Sequence, residues 1–408
     1  MINLKEIIKK IFIIILIIMF FVAFSNSYKA LNIDDLAFVV AIGIDSTDTN
    51  KFKITFQFVN PPSTSDGSIQ EAKILEDAVE ATSIPNALNI MNSYLAKKLD
   101  LSHCRNIIFS EAVAKQGISN HIYTLMNDVQ VRPTSNIIVT TCTANVYIKN
   151  SIPSLETSIT RYYDIFTNSS KYTGYVSNAT IGDFYNALVC NSCEPYAILG
   201  GVTSSKFTGS QSNFSNDSEI KSGSSPISGT RPAENIGMAV FKDDKLIGEL
   251  NSMETVCFHI LHNSINSFLV SIPNPNNKNS NLDILLIPKK DTKIKVEIIN
   301  NAPYVKINSS FSAKIYSMNE NSDYLEPSTL SAISNSCNKY LENVISDYLY
   351  KTALEFKSDI NGIGKYALSC FKTNEEFCNY NWRDNYMNST FKVTINSTID
   401  SGLLLNKT

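Results

Sequence analysis

Two short stretches place thiols and imidazoles close enough together to hold a metal or to exchange electrons. Cys190-Asn191-Ser192-Cys193 is a Cys-x-x-Cys pair running into Glu194-Pro195, and Cys257-Phe258-His259-Ile260-Leu261-His262 spaces sulfur and ring nitrogens as ligands are often spaced. A redox pair would sit between a thioredoxin-like strand and a helix, and a zinc ribbon would need a second cysteine pair; neither is evident around Cys190. A local disulfide or two free thiols remain open there. The second stretch falls in a helical pattern with Val256, Ile260 and Leu261 and has no carboxylate at a matching offset, so packing explains it better than coordination.

Other chemistry is sparse. His103 and His121 adjoin no Gly-x-Ser-x-Gly elbow and no His-Glu-x-x-His helix. Asp34-Asp35 stands at a helix or turn start and Asp45 follows Gly43 at a strand end, positions where carboxylates commonly serve backbone dipoles or water. Asn361-Gly362-Ile363-Gly364 has too few glycines for a phosphate loop and follows a helix rather than a strand. No enzyme, metal or cofactor is expected from these residues. A net charge of −3 with a pI near 5.9, and no basic cluster beyond the first residues, argues against nucleic acid as a partner.

The leader sets the compartment. Lys5, Lys9 and Lys10 precede Ile11 to Phe24, an apolar run too short to cross a hydrocarbon core of about 30 Å without borrowing its flanks. Cleavage after Ser25, as in a secretory signal, and retention as an uncleaved anchor both suit residues 1–27. Either way, the charge bias sends the remaining chain, about 380 residues, outside the cytoplasm. A chain of that size can bury a core without disulfides, so Cys104 and Cys142, in apolar strand-like runs, read as buried free thiols.

Periodicity divides the rest into three blocks. In the first, 28–152, "FVVAIGID" and "KFKITFQFVN" form a hairpin across Ser46 to Asn50. A helix carrying Ala78, Val79, Ala81, Leu88, Met91, Leu95 and Leu99 follows, interrupted by Pro85; then come a strand at "CRNIIFS", a helix from Glu111 to Met126 broken at Gly117, and a long strand at "SNIIVTTCTANVYI". The middle block, 153–275, has an aromatic stretch (Tyr162, Tyr163, Phe166, Tyr172, Tyr175), a Ser/Gly-rich loop over 204–232, a hairpin at "GMAVFKDDKLIGEL" and a helix over 251–263. "SIPNPNNKNSN" marks a linker or hairpin end. The last block, 276–404, alternates apolar and polar residues as an antiparallel sheet does, then carries one long helix. Its stripe runs through Leu330, Ile333, Cys337, Leu341, Val344, Ile345, Leu349 and Ala353, with Ser328 as a cap, and a final strand follows Trp382. The fold class is thus a three-domain mixed α/β, α+β protein.

Four segments in this order, "LNIDDLAFVVAIGID", "LSHCRNIIFSEAVAKQGI" with "MNDVQVRPTSNIIVTTCTA", "GMAVFKDDKLIGEL" and "FKSDINGIGKYA" with a downstream Trp, resemble the Ger(x)C family, the C subunits of bacterial spore germinant receptors. The resemblance implies an extracytoplasmic subunit on the outer face of the inner spore membrane. It would act without known enzymatic activity or a small-molecule ligand of its own, beside a multispanning B subunit and an A subunit with soluble and membrane-spanning parts. Positions matching the family's recurrent residues are Gly43, Asp45, Glu111, Arg132, Gly237, Gly248, Asp359, Gly362 and Gly364, with the glycines read as backbone requirements and the charged residues as structural pairs or partner contacts.

One departure stands out. Where the family carries a lipobox Cys followed by Trp, this chain has Ser27 and Tyr28, and its first cysteine is Cys104, so no lipid can be attached at the leader. Set beside the family, this favours the uncleaved anchor. Two readings of other classes compete with the receptor subunit: a membrane-tethered solute-binding protein, with the Tyr162–Tyr175 stretch as its pocket, and a secreted wall enzyme, which the missing acid/base motif opposes.

Overall fold

A computed structural model describes residues 4–24, 33–60, 64–65, 68–69, 73–153, 155–203, 219–227, 229, 231–275, 277–317 and 326–399. Ser27, Tyr28 and most of the Ser/Gly-rich loop lie outside them. The leader is helix α1 (Leu4–Phe24), on which Ile11 to Phe20 are exposed all round, as an apolar run with no polar face must be unless another medium covers it.

Strands β1 (Leu36–Ser46) and β2 (Phe52–Asn60) form the expected hairpin, closed where the Thr47 hydroxyl donates to the Lys51 carbonyl at 2.7 Å. After the two-residue strands β3 (Thr64–Ser65) and β4 (Ser68–Ile69), the expected interrupted helix resolves into three elements. Strand β5 (Lys73–Ala81) pairs with β2 from Asn60↔Lys73 to Phe52↔Ala81; helix α2 (Ile84–Tyr94) follows; Leu99 belongs to strand β6 (Lys98–Asp100). The open edge of β2 offered ladder partners along the whole of β5, and pairing outweighed local propensity. Pro85 starts α2 rather than interrupting a helix: it occupies the first turn, where no N–H is needed, behind the Ser83 cap.

Strand β7 (Asn106–Ser110), helix α3 (Glu111–Gln116) and helix α4 (Ser119–Met126) follow the sequence, with Gly117 at φ 115° between the helices. The expected long strand is instead β8 (Asn136–Thr140) and helix α5 (Ala144–Asn150), at whose start Thr143 accepts from the Val146 N–H. Helices α6 (Ile159–Ile165) and α7 (Ile181–Leu188) lead to β9 (Tyr196–Val202), then to the hairpin β10 (Ala233–Lys242) and β11 (Lys245–Leu250). These strands make one mixed sheet, β11-β10-β9-β8-β7-β1-β2-β5, with β6 beside β1. Its parallel centre is buried on both faces, hence runs such as Ile137-Ile138-Val139. The expected boundary at 152/153 falls between β8 and β9, which pair with each other, so this sheet draws strands from both of the first two blocks.

Helix α8 (Ser252–Leu261) begins in a capping box of Asn251 and Glu254. Beyond it β12 (Phe268–Asn274), β13 (Asn277–Ile299) and β14 (Ala302–Ser317) are antiparallel, and the Asn-rich segment is the β12–β13 hairpin end. Asn300 and Asn301, both at positive φ, turn β13 into β14. Helix α9 (Pro327–Tyr350) buries the predicted stripe through Ile333, Cys337, Leu341, Ile345 and Leu349; its cap position is Glu326, and Ser328 lies inside the first turn. Short helices α10 (Gly364–Ala367), α11 (Asn374–Tyr380) and α12 (Trp382–Asn385) precede β15 (Thr390–Ile399). β15 lies parallel to β14, which corrects the all-antiparallel expectation for the last strand: a crossover through α9 returns the chain in the same direction.

The first sheet with α2–α7 encloses one hydrophobic core; the second sheet with α8 and α9 encloses another. Strand β10 serves both, sending Ala239 and Phe241 to the first and Met238 and Val240 to the second. Phe241→Ala should therefore cost about 3–5 kcal/mol and destabilise both cores together. Trp382, the single tryptophan, lies in the second core, so its fluorescence should report the same shifted urea transition as far-UV circular dichroism. Two separated transitions would show that the cores unfold independently.

Candidate functional site: a carboxylate-centred joint between the sheets

Gly43 and Asp45, two apart on β1, face the same way and hold α5. A Cβ at position 43 would come within 2.7 Å of Ile148 Cδ1 and 3.0 Å of Ala144 Cβ. Asp45, buried, accepts from the Ala144 N–H at 2.7 Å and the Asn145 N–H at 3.0 Å, so its carboxylate closes the helix N-terminus. This is the interaction that turned the expected strand into a helix.

Asp359 does comparable work in the second half. Its buried carboxylate accepts from the Ile363 N–H at 3.0 Å, the Gly364 N–H at 2.8 Å and Trp382 Nε1 at 2.8 Å. Gly362, at φ 62°, lets the backbone curl around it, and Gly364 leaves room for the indole, which a Cβ would meet at 2.6 Å. Burial is the largest influence on the acid and raises it from 3.8 to about 6, against the pull of the N–H donors. Ser358 beside it donates to the Phe241 carbonyl at 2.6 Å, which ties this turn to β10.

A second carboxylate bridges the same place. Glu194 accepts two bonds from the Arg383 guanidinium, through Nε at 2.7 Å and through Nη2, and one from the Asp243 N–H at 2.8 Å. Arg383 also reaches Asp243 Oδ1 at 2.8 Å, and the Glu194 N–H donates to the Asp359 carbonyl at 3.2 Å. Burial raises the Glu194 acid, opposed by Arg383. The neighbouring Asp244 accepts from the Ser119 hydroxyl at 2.7 Å and N–H at 3.2 Å, at the start of α4. The β10–β11 turn is thus fastened to both halves of the molecule. Cys190 and Cys193 are disulfide-bonded in the loop before Glu194.

The remaining sequence candidates divide. A Cβ at Gly248 would run into the Phe356 ring, so β11 lies flat on the segment leading to Asp359; Gly237, at φ 97°, donates to the Tyr175 carbonyl at 2.8 Å. Glu111 and Arg132 stand apart from the joint. Glu111 pairs with Lys115 one helical turn on, and Arg132 is exposed and forms no ion pair among the described residues. The metal-like spacing at Cys257 is occupied by packing: His259 bonds the Val176 carbonyl at 2.8 Å and Ser264 Oγ at 2.7 Å, and the His262 ring stacks on Phe258 and is held down to about 4 by burial. Among the described residues no group of three His, Cys, Asp or Glu side chains is placed to hold a metal. In the aromatic stretch, Tyr163 is buried and donates to Gln57 Oε1 at 2.7 Å. A groove of about 900 Å³ is lined instead by residues such as Tyr123, Val129 and Tyr185.

Sequence reasoning missed Glu194, Arg383, Asp243 and Asp244 as a group. Each adjoined a feature already marked, the Cys-x-x-Cys, the tryptophan and the hairpin turn, but their meeting is tertiary. What the arrangement does is mechanical: its carboxylate oxygens already accept from N–H and guanidinium donors inside the molecule, and they hold two cores in one relation.

Residues 29–199 match the description "Spore germination protein N-terminal domain", and residues 236–402 match "Spore germination B3/ GerAC like, C-terminal". Spore germination protein KC of Bacillus subtilis (strain 168) is 22% identical over 378 residues, covering 88% of this chain and 87% of that protein. A solved structure titled "Crystal Structure of the GerBC protein" shares the fold with a TM-score of 0.52 at 17% identity, over 88% of this chain and 96% of that one. The β10–β11 hairpin lies in the second matched region yet hydrogen-bonds into the sheet of the first, so the joint described above is where the two matched regions interlock.

Asp359→Asn keeps the shape but turns a donor toward the Ile363 N–H, and should cost about 1–3 kcal/mol at pH 7. Because the folded acid is raised, the contribution of Asp359 is fully present below about pH 4 and lost as pH rises through about 6. The stability gap between wild type and Asp359→Asn, from urea unfolding, should narrow from pH 4.5 to 7; a gap that widens contradicts this account. Arg383→Ala strands the buried Glu194 charge and should cost about 3–5 kcal/mol. Adding Glu194→Gln should recover part of that loss in a double-mutant cycle, and additive losses would show that the pair does not interact.

Proposed function

Because this chain belongs to the Ger(x)C family of spore germination proteins, we propose that it is a non-catalytic C subunit of a germinant receptor. It assembles with the A and B membrane subunits on the outer face of the inner spore membrane. The observation that carries this reading is the succession of both GerAC-type regions along one chain, interlocked through β10. The satisfied carboxylates at the joint support a scaffold over a reaction centre. Membrane retention falls to α1, kept uncleaved, since Ser27 stands where a lipidated cysteine would be needed. No helix of the described residues is long and apolar enough to cross a membrane, so in this reading α1 holds on by entering one face of the bilayer or by spanning it with its flanks included.

Spores lacking the protein should keep their heat resistance but fail to germinate with nutrient, and the full-length chain should co-purify with a multispanning partner from spore membranes. Mass spectrometry of the mature protein should find residues 1–27 still attached. Absence of the protein from spores, or wild-type germination without it, overturns the proposal.

A further inference from the structure

The strand register gathers one set of residues at the end of the first sheet where β1 begins. Leu36 pairs with Lys98, Phe38 with Val59 and Asn60 with Lys73, so the start of β1, the end of β2, the start of β5 and the α2–β6 loop share that end. The opposite end of the β1–β2 hairpin carries the polar turn 47–51. Between these elements lies an almost wholly apolar pocket of about 190 Å³, lined by Ala37, Phe58, Val59, Leu75, Leu95 and Lys97. An apolar cavity of about 150 Å³ stays dry and accepts a benzene-sized hydrocarbon, so this one has room for a piece of an alkyl chain.

The surroundings of that pocket are unusual for a water-facing surface. Tyr94 is 74% exposed, Ile33 68% and Ile90 40%, with Ile90 and Tyr94 one turn apart on α2. Lys98 is exposed beside them, as is Asp35, so the attraction this end offers is apolar first and electrostatic second. Tyrosine and lysine flanking aliphatic side chains are the residues that settle at a membrane–water boundary. Covalent connection supplies the rest: the residues joining α1 to Ile33 reach at most about 30 Å when fully extended, so an anchored α1 keeps this end of the sheet near the lipid.

We infer that the end of the first sheet around Tyr94, Leu95 and Lys98 rests on the phospholipid bilayer, with a lipid acyl chain entering the pocket between Ala37, Phe58 and Leu95. This rests on the membrane retention of α1 proposed above. Docking here seats the domain that α1 holds near the lipid, which fixes how far the two-core body stands from the membrane and which of its faces other membrane subunits can meet.

The test uses the full-length chain in nanodiscs of phosphatidylcholine and phosphatidylglycerol, doped with a phospholipid carrying a diazirine in its acyl chain. Adducts located by peptide mass spectrometry should fall on α1 and, separately, on the peptides bearing Phe58–Val59 and Tyr94–Lys98. The double variant Tyr94→Ser, Lys98→Glu alters only exposed side chains and should lower the second set about tenfold while leaving the α1 adducts unchanged. Adducts confined to α1 overturn the seated end but leave the anchor standing. Adducts at Tyr94–Lys98 without any on α1 overturn the anchor but not the seat. A second set indifferent to the double variant, or found on a different face, overturns the inference, and an unchanged urea transition by far-UV circular dichroism confirms that the variant is folded.

Discussion

The side chains of β10 alternate between two cores, Ala239 and Phe241 into one and Met238 and Val240 into the other, so this strand can be placed only when both cores are in place. A strand with one wet face could slide or swing with little loss. Here a shift of one residue would send the side chains of each core into the other, and every pair along β9–β10–β11 would lose its fit. The two halves of the chain are therefore joined by the same physics that packs each interior, and their relation is as rigid as a core.

Polar groups then decide which joint forms. Apolar contact alone is tolerant of register and angle, whereas Asp359 needs three N–H groups converging from the Gly362–Gly364 turn and Trp382, and Glu194 needs the fork of Arg383. Burying these carboxylates is costly, as the raised pKa of Asp359 shows, and a well-fitted hydrocarbon would hold the parts together at least as strongly. Their contribution is selectivity. The turn at Asp243 and Asp244 is the clearest case, since adjacent carboxylates reach in different directions, one to Arg383 in the second half and one to the start of α4 in the first.

Much of this was legible in the sequence, and the failures have causes. Hairpins with turn chemistry at their tips, the split at Gly117 and the buried stripe of α9 are local patterns, and they came out as read. The segment from Lys73 to Ala81 was misread because an edge strand is half exposed and its apolar spacing imitates a helix; only the open edge of β2 distinguishes the two. The stretch from Ala144 to Asn150 was misread for the opposite reason. Its Val, Tyr and Ile favour a strand, and what overrules them is Asp45, far away in sequence, accepting from the first N–H groups of α5. Gly43, Asp45, Asp359, Gly362 and Gly364 were visible as family-like positions, but their shared purpose, making room for and fastening a neighbouring element, needed the geometry.

The leader follows from the same logic of what a buried group can do. In the receptor reading, a chain that lacks the lipobox cysteine keeps its place by other means, since lipobox attachment uses a cysteine at the end of the leader and the first cysteine of this chain is Cys104, buried in the interior. In that reading an apolar helix takes the place of a covalent lipid, and because a helix is stiff, a tilt of it in the bilayer can reach the body only as far as the short connection after it transmits one. If the body hung free on that connection, tilt would be averaged away before reaching the joint. Seated by the Tyr94 end, the first sheet would carry it as a rigid plate through β1, β7, β8 and β9 to β10, where both cores meet. The rigidity of the joint then has a use beyond stability: in the receptor reading, it lets a movement begun at the membrane arrive undiminished at the far sheet.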